Sequence, residues 1–512
     1  MKCKPILCFL LSLLLLFSLC GCGTPAAKEA EITLIDDRVR NWYEVFVYSF
    51  ADSDGDGIGD LKGLTGKLDY LSDLGINGLW LMPVMPSPSY HKYDVTDYRD
   101  IDPQYGTLDD FRTLLSEAHE RGIRVIIDLP INHSSDLHPW FISAAADVDS
   151  PYRAYYLWSD TPQTGYSERN GNYYESRFVS SMPDLNLDNE QVRAEIEEIL
   201  RFWLVDVGVD GFRLDAVTSY YTGQLEQNLA FLNWLGDTAH GISPDCFLVG
   251  EAWDNLSVIA RYAGTSIDSY FTFPVSQAEG YLAKTLSPAN RRPGQSYAEY
   301  TLQLERELPA STIPAPFTEN HDTGRTVGFT GRDNPTRTKM AGGLLCMMRG
   351  GVFLYYGQEI GMVGSGEDPN KRIGMLWTTP EETTSPPPGV TRVEYAYPSV
   401  AEQKNDSTSI LNYYRDALTL RNRFPAIARG NSEILPCESD QACLILRTWE
   451  DQRLLLAINP SGKALDLSLS GEALDYSVLS GSLLTGSEPV SLSSGKLTLP
   501  ACSIAVLSRS GT

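Results

Sequence analysis

The sequence predicts an α/β protein built on a closed (β/α)8 TIM barrel, with a small inserted domain after the third strand and a C-terminal antiparallel β-sandwich domain. Three observations lead there. Short β-rich apolar runs alternate with helical-period segments over residues 44–423, and repeated βα units imply a parallel sheet. The number and spread of those units favour a closed barrel over an open doubly wound sheet. From Ser432 onward helical periodicity stops, and short β segments alternate with Gly/Ser turns, as in an all-β domain.

The elements follow in order. Residues 44–48 (EVFVY) read as the first strand and 78–82 (GLWLM) as the second. Residues 107–121 place Leu108, Phe111, Leu114, Leu115 and Ala118 on one helical face. Thr107 caps that helix, Asp109 and Asp110 occupy its first turn, and Gly122 ends it. Residues 123–127 (IRVII) form a buried strand closed by Asp128. The pattern then recurs: helix 190–206 leads to strand 209–214, helix 224–240 to strand 247–249, and helix 336–349 to strand 352–356, with a last helix over 408–423. Between Asn132 and Asn186 the rhythm fails across a polar, aromatic stretch too long for a plain βα loop. The inserted domain is therefore 133–186, the barrel 37–132 and 187–431, and the all-β domain 432–512, with strands near 442–448 and 454–458. Residues 379–396, with prolines at 386–388, form a long loop.

The N-terminus reads as a targeting segment. Lys2 and Lys4 precede an apolar run over 6–19, the length of a secretory core and short for a spanning helix. Leu19-Cys20-Gly21-Cys22 resembles a bacterial lipobox. The expectation is a signal peptide over 1–21, lipidation at Cys22, a tether over 22–36, and an extracytoplasmic protein anchored by lipid to the cell membrane. Beyond the lipobox Cys246, Cys346, Cys437, Cys443 and Cys502 are scattered and odd in number. They make no disulfide framework or CxxC metal site, although Cys437 and Cys443 are near enough in sequence to pair. A composition 42% hydrophobic and 21% charged excludes a disordered or multi-span membrane chain. Lys+Arg is 41 and Asp+Glu is 66, a net charge of −25. That excess argues against nucleic acid, whose phosphates need clustered Lys and Arg, and suits an uncharged ligand. The 27 Tyr and 9 Trp offer flat faces for sugar rings. A monomer is expected.

Polar residues gather where strands end. Asp128, then Asn132 and His133, follow the third strand; Arg213 and Asp215 close VDGFRLD (209–215); Glu251 closes FLVGE (247–251); His321 and Asp322 end FTENHD (317–322). Strand C-termini of a parallel barrel converge on one face, so these groups line one pocket. Any one carboxylate alone reads equally as a strand-end cap or an ion pair. Several ionisable carboxylates on one wall are costly unless chemistry uses them. An arginine that holds one as an anion while a drier neighbour keeps its proton gives the acid and nucleophile of glycosidic cleavage.

On these motifs the chain resembles the α-amylase family, glycoside hydrolase family 13: DLPINH (128–133), MPDLN (182–186), GFRLDAV (211–217), GEAW (250–253) and ENHD (319–322). The resemblance covers most of residues 40–512 and points to the group between the oligo-1,6-glucosidases and the neopullulanases. It implies Asp215 as nucleophile, Glu251 as acid and then base, and Asp322 as stabiliser of the distorted sugar. It implies Arg213 supporting Asp215, His133 and His321 on the same sugar, and Tyr93, in YHKYDVTDY (90–98), stacking on it. The substrate implied is an α-glucan cut with retention. Ala216 stands where oligo-1,6-glucosidases often carry Val, and Tyr90 where exo-acting α-glucosidases carry an Asp that grips the terminal sugar. Both tilt the expectation to an endo-acting α-amylase. The alternatives are a cyclomaltodextrinase, neopullulanase or 4-α-glucanotransferase, and, from another class, a glucan-binding lipoprotein without catalysis.

DSDGDGIGD (52–60) is a second signal. Alternate Asp oxygens with Gly in tight turns suit a hard cation such as Ca2+. The loop begins like an EF-hand, but Gly63 occupies the position of the bidentate Glu. It resembles the calcium loop after the first barrel strand of some family-13 enzymes, which implies Asp52, Asp54, Asp56, the Ile58 carbonyl and Asp60 as ligands of a structural Ca2+. Thr218-Ser219 replace the Lys-His that many α-amylases carry after GFRLDAV, so a second ion at Asn132 is left open.

Overall fold

The computed structural model describes Ile32 and residues 34–510. The expected signal peptide, the expected lipidation site at Cys22 and most of the expected tether lie outside the described residues.

Eight parallel strands form one sheet: β1 (Asn41–Val45), β2 (Gly78–Leu81), β3 (Arg124–Leu129), β4 (Gly211–Leu214), β5 (Phe247–Gly250), β6 (Ser269–Phe271), β7 (Ile313–Ala315) and β8 (Val352–Tyr355). Their order is β7-β6-β5-β4-β3-β2-β1-β8. Two backbone bonds close the ring between β7 and β8, from Gly351 N–H to Pro314 O and from Phe353 N–H to Pro316 O. The seam is thin because Pro316 has no N–H to return to β8. The interior is packed with rings, among them Trp42 stacked on Phe247 and Phe353, and Trp80 against Phe271. Gly78 permits this, since a Cβ there would lie 2.5 Å from the Trp42 ring.

The strands and helices lie near their expected places, with physical reasons for the differences. The first strand is Asn41–Val45 and not 44–48, because the chain then turns into a short helix, Val47–Phe50, with every residue buried. The apolar run there reflects burial on all sides. Strands β6 and β7 have three residues each, too few for a periodic signal. Thr107 caps Leu108–Glu120 in a capping box with Asp110. Helix Glu190–Arg201 passes into a π-helical turn, Phe202–Val207, before β4.

Between β3 and β4 the insert carries helix Pro139–Ala146 and strands Trp158–Ser159, Tyr166–Arg169 and Asn172–Glu175 in one antiparallel sheet. After the barrel, Asn431–Leu435, Cys443–Trp449, Gln452–Asn459, Ser503–Ser508 and Val478–Leu484 form a five-stranded antiparallel sheet. Leu465–Ser468, Lys496–Leu499 and Ser491–Ser493 form a second. Leu446, Leu455, Leu497 and Leu507 belong to the core the two sheets share. Buried Arg447 ties this domain to the barrel through Glu305, 2.9 Å away, and the Met347 carbonyl. Among the described residues all five cysteines are free, Cys437 and Cys443 included, and no helix is long and apolar enough to cross a membrane.

Candidate active site

The parallel strands deliver their C-terminal residues to one end of the barrel. Asp128 lies in β3, with His133 just beyond it; Arg213 lies in β4 and Asp215 follows it; Glu251 follows β5; His321 and Asp322 lie on the loop after β7; Tyr93 comes from the loop after β2.

Arg213 is the hub, and it is fully buried. Its Nη1 lies 2.8 Å from Asp128 Oδ1 and 2.7 Å from Asp215 Oδ1, and its Nη2 lies 2.9 Å from Glu251 Oε2. The Glu251 contact is ionic and lacks the alignment of a hydrogen bond. Glu251 Oε2 accepts instead from the Ala216 N–H at 3.0 Å. Ala216 has φ +44°, a left-handed conformation unusual without glycine and characteristic of functional turns. That turn aims the amide after Asp215 at the neighbouring acid.

The carboxylates are set to different protonation states. Burial pushes Glu251 up to about 7, against the pull of Arg213 and with help from Asp215 and Asp322. A carboxyl group that keeps its proton near neutrality is what a general acid requires. Burial likewise raises Asp128 to about 6 despite Arg213. Asp322 goes the other way. Burial favours its neutral form, but His321, 3.0 Å away, and Arg372, 2.8 Å away, hold it well below the usual carboxylate range. His321 overcomes burial through Asp322 and Glu44 and rises to about 10, so it is a cation at neutral pH.

The expected sugar contacts surround this cluster. The Tyr93 hydroxyl donates to Asp128 Oδ2 at 3.0 Å and lies 2.7 Å from His321 Nε2, with its ring stacked on the imidazole. Burial lowers the pKa of His133. Its Nε2 has no protein partner, which leaves a neutral ring nitrogen for a ligand. Exposed Phe178 of the insert sits edge-on to His133, and exposed Trp253 stacks on Phe273 two residues past Glu251.

Several site residues escaped the sequence reading. Glu44 in β1 bonds His321, and Arg372 grips Asp322 and the His321 carbonyl. The sequence marks Asp128 as a strand end and gives it no role. Arg372 sits in an irregular loop with no periodic signal to mark it. Tyr90 packs edge-on to Phe46 and Tyr48, with its hydroxyl 3.4 Å from Arg372 Nη1.

The acidic loop follows the short helix Val47–Phe50. Carboxylate oxygens of Asp52, Asp54 and Asp60 fall within 4.8 Å of one another, which suits a hard cation. Asp56 is outside that group and accepts from the Ile58 N–H at 2.7 Å. Asp60 also caps helix Leu61–Thr65 through Gly63 N–H. Asn132 donates to Asp184 Oδ1 at 2.9 Å, and among the described residues no second acidic cluster forms there.

Comparison with known proteins agrees with this geometry. A family model described as "Alpha amylase, catalytic domain" matches residues 44–430. The chain is 39% identical over 434 residues to Alpha-amylase 3 of Dictyoglomus thermophilum, covering 82% of this chain and 84% of that protein. It is 31% identical over 504 residues to a glucan 1,6-alpha-glucosidase of Streptococcus pneumoniae, covering 84% and 92%. The solved structure of Eubacterium rectale Amy13B superposes with a TM-score of 0.90 at 42% identity, covering 94% of this chain and 97% of that one.

Proposed function

The chain belongs to the alpha-amylase family of glycoside hydrolases, and on that premise we propose that it is a retaining, endo-acting α-1,4-glucan hydrolase working on starch and maltooligosaccharides through a covalent glycosyl-enzyme. The observation that carries this reading is one buried guanidinium shared by Asp215 and Glu251, with Glu251 pushed up to about 7.

In the first step Asp215 attacks the anomeric carbon and Glu251 gives its proton to the departing glycosidic oxygen. Arg213 fixes the Asp215 oxygen and spreads positive charge along the pocket wall. Asp322, held as an anion by His321 and Arg372, offsets the positive charge that grows on the sugar ring. In the second step Glu251, now a carboxylate, takes a proton from water as it opens the ester on Asp215. Tyr93 stacks on the reacting sugar, and His133 and His321 reach its hydroxyls. Tyr90 supports internal cleavage. Its hydroxyl is turned to Arg372, and position 90 offers no carboxylate to grip a chain end.

The acidic loop is proposed to hold a structural Ca2+ through Asp52, Asp54 and Asp60, with the Ile58 carbonyl and Asp56 as further candidates. Bound there, the ion would neutralise converging carboxylates and brace the loop that follows β1. Cys22 is proposed as the lipid anchor that holds the enzyme outside the cytoplasm.

Chromatography of products over time from amylose, cyclodextrin and pullulan tests the substrate. Early release of mixed maltooligosaccharides from amylose is expected. Preferred opening of cyclodextrin indicates a cyclomaltodextrinase, panose from pullulan a neopullulanase, and lengthened acceptors a 4-α-glucanotransferase. Binding of starch with neither new reducing ends nor a change in chain lengths would leave only a glucan-binding lipoprotein.

A further inference from the structure

Glu44 is a charge that the two steps above do not use. It stands in β1, 1% exposed. Burying a carboxylate without a partner is expensive, and among the described residues its side chain is hydrogen-bonded by His321. Glu44 Oε1 accepts from His321 Nδ1 at 2.6 Å and from the His321 backbone N–H at 3.4 Å. At the far end of the same ring, Nε2 lies 2.7 Å from the Tyr93 hydroxyl and 3.0 Å from Asp322 Oδ2. The imidazole is strung between two carboxylates, one in the barrel wall and one in the substrate pocket.

We propose that Glu44 is a positioning residue for the glycosidic reaction. By holding a proton on His321 Nδ1, it keeps His321 doubly protonated, with Nε2–H given to the Tyr93 hydroxyl and the positive charge of the ring held beside Asp322. The proposal rests on the glycosidase reading of the pocket.

A carboxylate facing one nitrogen of a histidine fixes which nitrogen bears the proton and how the ring points. Here a second carboxylate at the other nitrogen makes the two-proton form the one that satisfies both. Among the described residues the other charged and titratable groups facing this assembly include Tyr93 after β2, Asp128 in β3, Arg213 in β4, Glu251 after β5, Tyr355 in β8 and Arg372 after β8. Arg213 and Arg372 offset the acids, so the site tolerates a histidine cation. Burial opposes that cation, and Asp322 with Glu44 prevails. Asp322 depends on it in turn, because His321 is the largest influence opposing its neutralisation by burial. Glu44 thereby acts on the sugar through two residues and touches none of it.

Histidine-selective 15N NMR of the full chain tests this, with His321 assigned among the six histidines by loss of its signals in His321→Asn. In the wild type both ring nitrogens of His321 are expected to stay protonated from about pH 6 to about pH 9. Glu44→Gln, which keeps the shape and removes the charge, is expected to let the ring lose a proton inside that range. It should lower kcat on maltooligosaccharides by roughly tenfold or more, with KM nearly unchanged. In a His321→Asn background the same change should cost less than about twofold, because what Glu44 positions is already gone. A Glu44 that merely braces the barrel would give equal losses in both backgrounds and leave the titration alone, which overturns the proposal. If Glu44→Gln does not fold, the wild-type titration still decides, since a neutral His321 at pH 7 contradicts it. Absence of glucan cleavage by the wild type would instead remove the glycosidase reading, whatever the state of His321.

Discussion

At the scale of single residues the site works by giving similar groups unlike surroundings. Asp215 and Glu251 touch the same arginine, yet only Glu251 also depends on an amide held in a left-handed turn. Asp215→Asn is expected to abolish turnover while maltooligosaccharide binding, read by calorimetry, persists; unchanged turnover would refute the nucleophile assignment. Glu251 must be protonated to act, and burial raises it to about 7. kcat/KM is therefore expected to fall as the pH rises through about 7, the side on which the proton is lost. A profile flat to about pH 9 would show that another group supplies the proton. The convergence of Asp215, Glu251, Asp322 and Arg213 on one pocket was legible because each stands at or beyond the end of a strand, and a parallel sheet brings such ends together; the roles proposed for them come from the family resemblance. Glu44 was not legible. It lies within the first strand, and its partner is 277 positions away, a distance no local pattern spans.

At the scale of elements the loop after β2 shows how the pocket is held open to a sugar. Lys92 has φ +64° and is 2% exposed. Its Nζ lies 2.8 Å from Asp102 Oδ2 and 2.7 Å from Gln104 Oε1. Strained backbone persists only where its surroundings over-determine it, and this buried pair does so one residue before Tyr93. Lys92→Met leaves Asp102 buried and unpaired, so a stability loss of about 3 kcal/mol is expected in urea melts. Adding Asp102→Asn should recover about 1 kcal/mol or more; additive losses would show that the pair is not coupled. The acidic loop is a second such element. Chelator should lower the melting temperature of the wild type and have little effect on Asp52→Asn/Asp54→Asn. An unchanged wild-type melt would leave a solvated acidic turn. The sequence showed that this loop gathers acids. It did not show that Asp56 turns to its own Ile58 amide, because that depends on the backbone path. The sequence also missed β6 and β7, since three residues cannot display a period.

At the scale of the molecule the barrel is closed by a seam of two backbone bonds beside prolines, and it is joined to the C-terminal domain by one buried cation, Arg447, beside a second, Arg421, in the barrel helix Ile410–Arg423. Arg447 reaches Glu305 and the Met347 carbonyl, while Arg421 binds the carbonyls of Cys346 and Met348 on the same segment before β8. Arg447→Met should destabilise the chain by about 3 kcal/mol, because Glu305 is left without its cation. The same urea melts check this, and a loss below about 0.5 kcal/mol would show that the domains do not depend on the pair. The order of barrel, insert and β domain was readable from changes of rhythm, whereas these joints were not, since each pairs residues from distant segments. Everything chemical depends on Asp215 attacking the sugar whose bond Glu251 protonates. The most direct measurement is mass spectrometry of the enzyme after incubation with a 5-fluoro-α-glycosyl fluoride, an activated substrate that slows release from the nucleophile. A glycosyl adduct on the peptide bearing Asp215 is expected, formed also by Glu251→Gln, because fluoride needs no acid to depart. An adduct on any other residue, or none while starch is still cleaved, would contradict the mechanism.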